Sequence, residues 1–288
     1  MPSTLENGPD CAMKTVWLLC LLACFACTRS QSFSPEGFAE RSYELWLPEA
    51  SSAKPFGLVV LLHAYATTPA TQESFFRIRA ELRKAGIAYA WPMGLSNRSG
   101  QLFWNANPSC CDNDGQAPDD VAYVLAVIDD IAARIPLDKN RVALLGVSNG
   151  AFMAYQLACE KPERFSKLVA VSGAPPASCP ALSSSGPSIL HVHGDNDALV
   201  PLEGGKLGPA GQSFPSSSAM MEQWATEGEC QPLDAGNPPA LFRQPVVQKA
   251  WVCPQQRRHL TLWVVGGGHQ LPPTNAFSWA VLHFLNAP

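Results

Sequence analysis

Six short runs of apolar, β-forming residues recur along the chain: GLVVLLH (57–63), IAYAWP (87–92), RVALLG (141–146), LVAVSG (168–173), SILHVHG (188–194) and LTLWVVGGG (260–268). None alternates strictly between polar and apolar, so each reads as a strand covered on both faces. An earlier run, YELWLP (43–48), does alternate and reads as a half-buried strand. Helical stretches are expected at 72–85, 119–135, 151–161, 217–227 and 275–285. In the second of these, Val121, Val124, Leu125, Ile128, Ile131, Ala132 and Ile135 recur at three- and four-residue steps behind the acidic Asp119 and Asp120. Buried strands alternating with helices predict an α/β fold: one mostly parallel sheet flanked by helices, in a single domain spanning 42–288. Two polar stretches interrupt the alternation, 103–118 and 202–246 (the latter broken by a helix). They are expected as loops over the carboxyl edge of the sheet, where such folds bind ligands.

At 288 residues, 47% hydrophobic and 15% charged, the chain can bury a substantial core. Twenty basic against 24 acidic residues, with no block of like charge, exclude the footprint of a nucleic-acid binder. Near the N-terminus, Lys14 precedes an uncharged apolar run from Thr15 to Cys27. That run is too short to cross a bilayer as a helix and matches a secretory signal (residues 1–27, followed by a linker at 28–41), with Met13 as its natural start. LLAC (21–24) also resembles a lipoprotein cleavage box. Cys24 would then carry a lipid anchor as the only membrane attachment, although Leu22 departs from the small residue preferred there. Secretion is the expected location.

Export makes the remaining six cysteines, Cys110, Cys111, Cys159, Cys179, Cys230 and Cys253, candidates for disulfides. The expected pairs are Cys230 with Cys253, and Cys159 with Cys110 or Cys111. These six include no CxxC pair, and the sequence has no HxxxH run, so no metal site is expected.

GVSNG (146–150) places Ser148 where an apolar strand runs directly into a helix. In a parallel sheet this makes a strained turn that lifts the hydroxyl above the strand ends, with Gly146 and Gly150 needed for close packing. A Ser hydroxyl needs a His to take its proton and a carboxylate to orient that His, in the chain order Ser, acid, His. HVHGDNDALVP (191–201) offers Asp195 or Asp197, and GGGHQLP (266–272) offers His269, all just past strand ends. His191 and His193 lie within a strand and are expected in structural roles. For the oxyanion, backbone amides are required. The candidates are Asn149, after the Ser, and Tyr65, after the early strand. Because only its amide is invoked, Asn149→Ala is expected to cost little.

LLHAYATT (61–68), FWNANPSCCD (103–112), the stretch 119–173, HVHGDNDALVP and GGGHQLP together resemble the α/β-hydrolase esterases that group with polyhydroxybutyrate depolymerases and feruloyl or acetylxylan esterases. The resemblance covers nearly the whole chain from Tyr43. It implies a secreted carboxylic-ester hydrolase acting through an acyl-enzyme, without metal or organic cofactor. The ester substrate would be a hydroxyalkanoate oligomer, or a feruloyl or acetyl ester of plant polysaccharide. It places the acid on Asp197 and implies that Trp104 and Asn105 face substrate. One departure is Ala64, where relatives carry Gly after the His; if that position is left-handed, Ala costs about 1 kcal/mol. The rival readings are a non-catalytic exported polymer- or carbohydrate-binding protein on the same fold, and a peptidase.

Overall fold

The computed structural model describes residues 30–49, 54–207, 212–234 and 244–287. The expected signal, its Met13 start and Cys24 lie outside these residues. One ten-stranded sheet forms the centre. Its strands are β1 (Gln31–Phe33), β2 (Tyr43–Trp46), β3 (Phe56–Leu62), β4 (Ile87–Pro92), β5 (Leu137–Val147), β6 (Lys167–Val171), β7 (Ser188–Gly194), β8 (Gln231–Pro232), β9 (Val246–Cys253) and β10 (Arg258–Val265). They lie in the order β1-β2-β4-β3-β5-β6-β7-β10-β9-β8. The six central strands, from β4 across to β10 in that order, run parallel to one another, and the antiparallel pairs lie toward the two ends. Every residue of β3, β4 and β6 is buried, as their continuous apolar runs require.

Helices cover both faces. On one side, α3 (Asp120–Arg134), α4 (Asn149–Glu160) and α5 (Ser217–Glu227) contribute Val124, Ile128, Phe152, Leu157 and Trp224 to one core. On the other, α1 (Pro69–Phe76), α2 (Arg79–Lys84) and α6 (Asn275–Asn286) contribute Phe76, Leu82, Phe277 and Val281 to a second. Asp119 caps α3, its side chain accepting from the Ala122 amide at 2.8 Å.

The single helix expected over 72–85 is two. Arg77 adopts a left-handed conformation (φ 54°) that ends α1, and Glu73 accepts the amide of Arg79 at 2.9 Å to start α2. The break has a packing cause: Phe76 and Ile78 are both buried in the same core, whereas residues two apart on one helix face away from each other. Residues 31–33, expected within a linker, pair with β2 as an edge strand. β9, which the sequence left unassigned, pairs antiparallel with β10; its mixed pattern, with Gln248 and Lys249 between apolar residues, suits a strand near the edge.

Cys230 pairs with Cys253 as expected. The expectation for Cys159 is overturned: it pairs with Cys179, and Cys110 pairs with its neighbour Cys111. Cys159, in the last turn of α4, faces the 174–180 connection, with 5.4 Å between the two Cα atoms, while the other two cysteines sit in the loop above the sheet. Among the described residues, no helix is long and apolar enough to cross a membrane, and no group of His, Cys, Asp or Glu is arranged to hold a metal ion.

Candidate active site

β5 ends at Val147 and α4 begins at Asn149, leaving Ser148 alone in the turn with φ 52° and ψ −118°. Such a backbone is strained for a residue with a side chain and needs close surroundings to hold it. The surroundings are close because two glycines let them be. A Cβ on Gly150 would lie 2.1 Å from the Leu62 carbonyl oxygen, and one on Gly146 would lie 2.2 Å from that of Gly150. The Ser148 amide donates to Val171 O of the next strand at 2.8 Å.

Three residues from distant parts of the chain meet at this turn. His269 Nε2 lies 3.0 Å from Ser148 Oγ, and His269 Nδ1 lies 2.8 Å from Asp197 Oδ2. Since a carboxylate only accepts, Nδ1 carries the proton and Nε2 accepts from the serine hydroxyl. Asp197 is buried, and its second oxygen accepts the amides of Leu199 (3.0 Å) and Val200 (2.8 Å). Burial pushes its pKa up, but hydrogen bonds from His193, His269 and the Val200 amide outweigh that and hold the carboxyl below its usual range. Asp195, the other acid weighed, has a different job. Its Oδ1 accepts the Gly267 amide at 2.9 Å, tying the acid loop to the glycine-rich approach to His269. Ser172 Oγ donates to His269 O at 3.1 Å and fixes the loop from below.

The loop after β3 is held by an unusual number of side chains. Gln72 accepts the Ala64 amide (3.1 Å), Trp104 Nε1 donates to His63 O (3.0 Å), and Thr67 donates to Ala64 O (2.8 Å). His63 Nε2 accepts the Gly94 amide at 3.0 Å, so its Nδ1–H donates to Ala64 O. Among the described residues, the Tyr65 and Asn149 amides have no partner in the protein, and Tyr65 and Ser148 line one cleft. Two unpaired N–H groups beside a strained serine are the arrangement that receives a developing oxyanion. The concern over Ala64 falls away: it is not left-handed, and Ala66 (φ 58°) takes the turn instead.

Burial holds the His63 pKa down at about 4 against 6.5 in a free chain. Between those values the unfolded chain binds more protons, so this group's contribution to stability falls as the pH falls, by about 1.4 kcal/mol per unit. Urea unfolding at pH 7 and 5 should therefore show an acid-induced loss that is about 2 kcal/mol smaller in His63→Gln than in the parent.

Two expectations about this region are corrected. Trp104 does not face substrate. It is fully buried, stacks on Tyr123 with ring centres 6.4 Å apart and contacts His63 at 4.9 Å, because its indole is needed to anchor the loop beneath. Asn105 does line the cleft, although its side chain donates to Pro118 O at 2.9 Å. The Asn149 side chain is far from idle. Buried, it accepts the Trp104 amide (2.8 Å) and donates to Trp104 O (2.9 Å), joining the start of α4 to the opposite loop. Asn149→Ala would leave both backbone groups buried and unpaired, and should cost about 3 kcal/mol. A lowered urea midpoint together with reduced turnover would show it; an unchanged midpoint would contradict it.

The cleft over Ser148, about 680 Å³, is lined by Tyr65, Asn105, the Cys110–Cys111 pair, Leu199 and Leu207. Most of its wall comes from the loop expected over 103–118, with Leu207 from the second expected region and Tyr65 and Leu199 from the turns after β3 and β7; the two expected regions are joined where Ser109 Oγ donates to Ser213 O at 2.9 Å.

Comparison with known proteins matches residues 49–210, more than half of the chain, to the family described as phospholipase/carboxylesterase. "Putative esterase NocK" of Nocardia uniformis subsp. tsuyamanensis is 30% identical over 173 residues, 59% of this chain and 49% of NocK. "Probable feruloyl esterase C" of Aspergillus terreus is 25% identical over 240 residues, 81% of this chain and 77% of that protein. The chain thus spans about half the length of the first relative and three quarters of the second. Among solved structures, an acetyl xylan esterase from Aspergillus awamori superposes with a TM-score of 0.63 at 16% identity, over 90% of this chain and all of that one, a likeness of fold. With its parallel sheet, serine turn and matched family model, the chain belongs to the phospholipase/carboxylesterase family of α/β-hydrolases.

Proposed function

We propose that the protein is a secreted serine esterase that hydrolyses carboxylic esters through an acyl-enzyme. The observation that carries this reading is the hydrogen-bonded series Ser148–His269–Asp197 opening on a cleft. Ser148 Oγ attacks the ester carbonyl while His269 Nε2 takes its proton, and Asp197 stabilises the imidazolium that forms. The Asn149 and Tyr65 amides receive the negative oxygen. Collapse of this intermediate breaks the bond to the alcohol, which leaves with the proton from His269. Water, deprotonated by His269, then attacks the acyl-enzyme, releasing the carboxylic acid and restoring Ser148.

The substrates are feruloyl or acetyl esters of plant polysaccharide, or hydroxyalkanoate oligomers. The relatives named as feruloyl esterases support the first of these. Export is supported by the apolar run 15–27 and by Cys159–Cys179 and Cys230–Cys253, bonds that persist in oxidising compartments. The test is a panel of methyl ferulate, acetylated xylan and 3-hydroxybutyrate oligomers, with p-nitrophenyl acetate as general reporter. Turnover of the reporter and of at least one panel member is expected. Inertness toward all four would overturn the reading.

A further inference from the structure

Behind Asp197, away from the cleft, lies a line of three buried polar side chains that the esterase chemistry does not use. Tyr155 sits in α4, and His191 and His193 sit two apart on one face of β7; all three are fully buried. Tyr155 Oη lies 2.7 Å from His191 Nδ1, and His191 Nε2 lies 2.9 Å from His193 Nδ1. His193 Nε2 ends the line, 2.7 Å from Val200 O and 3.3 Å from Asp197 Oδ2. The histidine rings stack nearly parallel, 14° apart.

The direction of this line is fixed by its end. A carbonyl and a carboxylate only accept, so His193 Nε2 carries a hydrogen. A neutral imidazole has one N–H, so His193 Nδ1 must accept, which puts the hydrogen of His191 on Nε2. His191 Nδ1 then accepts in turn, and Tyr155 must donate. Burial keeps His191 neutral by holding its pKa well below the ordinary value. Each bond in such a series polarises the next, and every hydrogen points toward the acid.

We infer that Tyr155, His191 and His193 are positioning residues for Asp197: a one-directional buried relay that grips the 197–200 turn at the Val200 carbonyl and offers an N–H to the carboxylate oxygen shared with His269. This rests on the reading of Ser148, His269 and Asp197 as the catalytic set. The turn is held from within by the Leu199 and Val200 amides on the other Asp197 oxygen and by the buried Val200 side chain, and the relay adds a side-chain donor to the Val200 carbonyl, while Leu199 is largely exposed at the cleft mouth. The other ionisable groups around Asp197 are Asp195, Glu203 and Lys249, which line the solvent side of the same turn.

Removing the His193 donor makes the Asp197–His269 couple hold a proton more tightly, so the acid limb of kcat/KM should move to higher pH. The experiment compares Tyr155→Phe, His193→Leu and His193→Gln with the parent, using p-nitrophenyl acetate across pH. Tyr155→Phe, which removes one oxygen, should lower kcat about fivefold with KM within twofold. His193→Leu should lower kcat about fiftyfold and raise the acid limb by about half a pH unit. His193→Gln, which keeps a donor within reach of Val200 O, should recover most of both. Unchanged kcat in folded Tyr155→Phe and His193→Leu would overturn the inference. So would losses that follow thermal stability alone, with the acid limb fixed and Gln no better than Leu. A second readout does not need activity: imidazole ¹⁵N shifts, recorded in Ser148→Ala, should place the hydrogen on Nε2 of both His191 and His193. An Nδ1–H form at either ring overturns the relay even if the esterase reading stands. Conversely, full activity in Ser148→Ala would sink the esterase reading while leaving the tautomer result to be judged by itself.

Discussion

Ser148→Ala is expected to lower kcat for p-nitrophenyl acetate by at least about 10⁴-fold and to abolish the initial burst of p-nitrophenol, while leaving the urea midpoint close to that of the parent. The size follows from the role: His269 and Asp197 activate nothing once the hydroxyl is gone, and only the two amides and the cleft remain to favour reaction. Stability is spared because the Ser148 hydroxyl has one partner, His269, at the partly open face of the site. Relief of a side chain from a φ of 52° is not gained, since Ala keeps the Cβ. Turnover within tenfold of the parent in the folded variant would move the nucleophile elsewhere.

The second large effect is structural in origin. Gly150→Ala would put a methyl carbon 2.1 Å from Leu62 O and 2.7 Å from His63 O, both backbone atoms of the strand end that carries the oxyanion loop. Neither can swing aside as a flexible side chain could, so α4 and β3 must separate. Overpacking of this kind costs about 3 kcal/mol or more. Separation also widens the gap between the Asn149 and Tyr65 amides, which sit on the two elements being forced apart. Chemical denaturation and kcat should therefore fall together, the opposite of the Ser148→Ala pattern. A variant with parent-like stability and activity would show that the contact is softer than the backbone geometry implies.

The central sheet could be read in the sequence because parallel strands are buried on both faces and appear as unbroken apolar runs. The residues around Ser148 could be read because each follows a strand end, and chain order then leaves few choices. What escaped depends on contacts between segments far apart in the chain. No local signal in FFRIRA shows that Phe76 and Ile78 must face one core, so the helix break at Arg77 has no signature in the sequence. The partner of Cys159 could not be deduced, since connectivity is a property of where α4 points. The roles of Trp104 and the Asn149 side chain depend on distant partners: the Trp104 indole donates to His63 O, 41 residues away, and the Asn149 amide bonds the Trp104 backbone, 45 residues away. His191 and His193 read in the sequence as structural strand residues, and their alignment toward Asp197 emerges only when Tyr155 and Val200 are placed at the two ends of the line.

The most direct test of the account is the mass of the intact protein after exposure to a fluorophosphonate, followed by peptide mapping. One phosphonyl group per chain, located on Ser148 and absent from Ser148→Ala, is the predicted result. No adduct on the folded protein, or an adduct that persists in Ser148→Ala, would contradict the claim that this serine is the activated nucleophile.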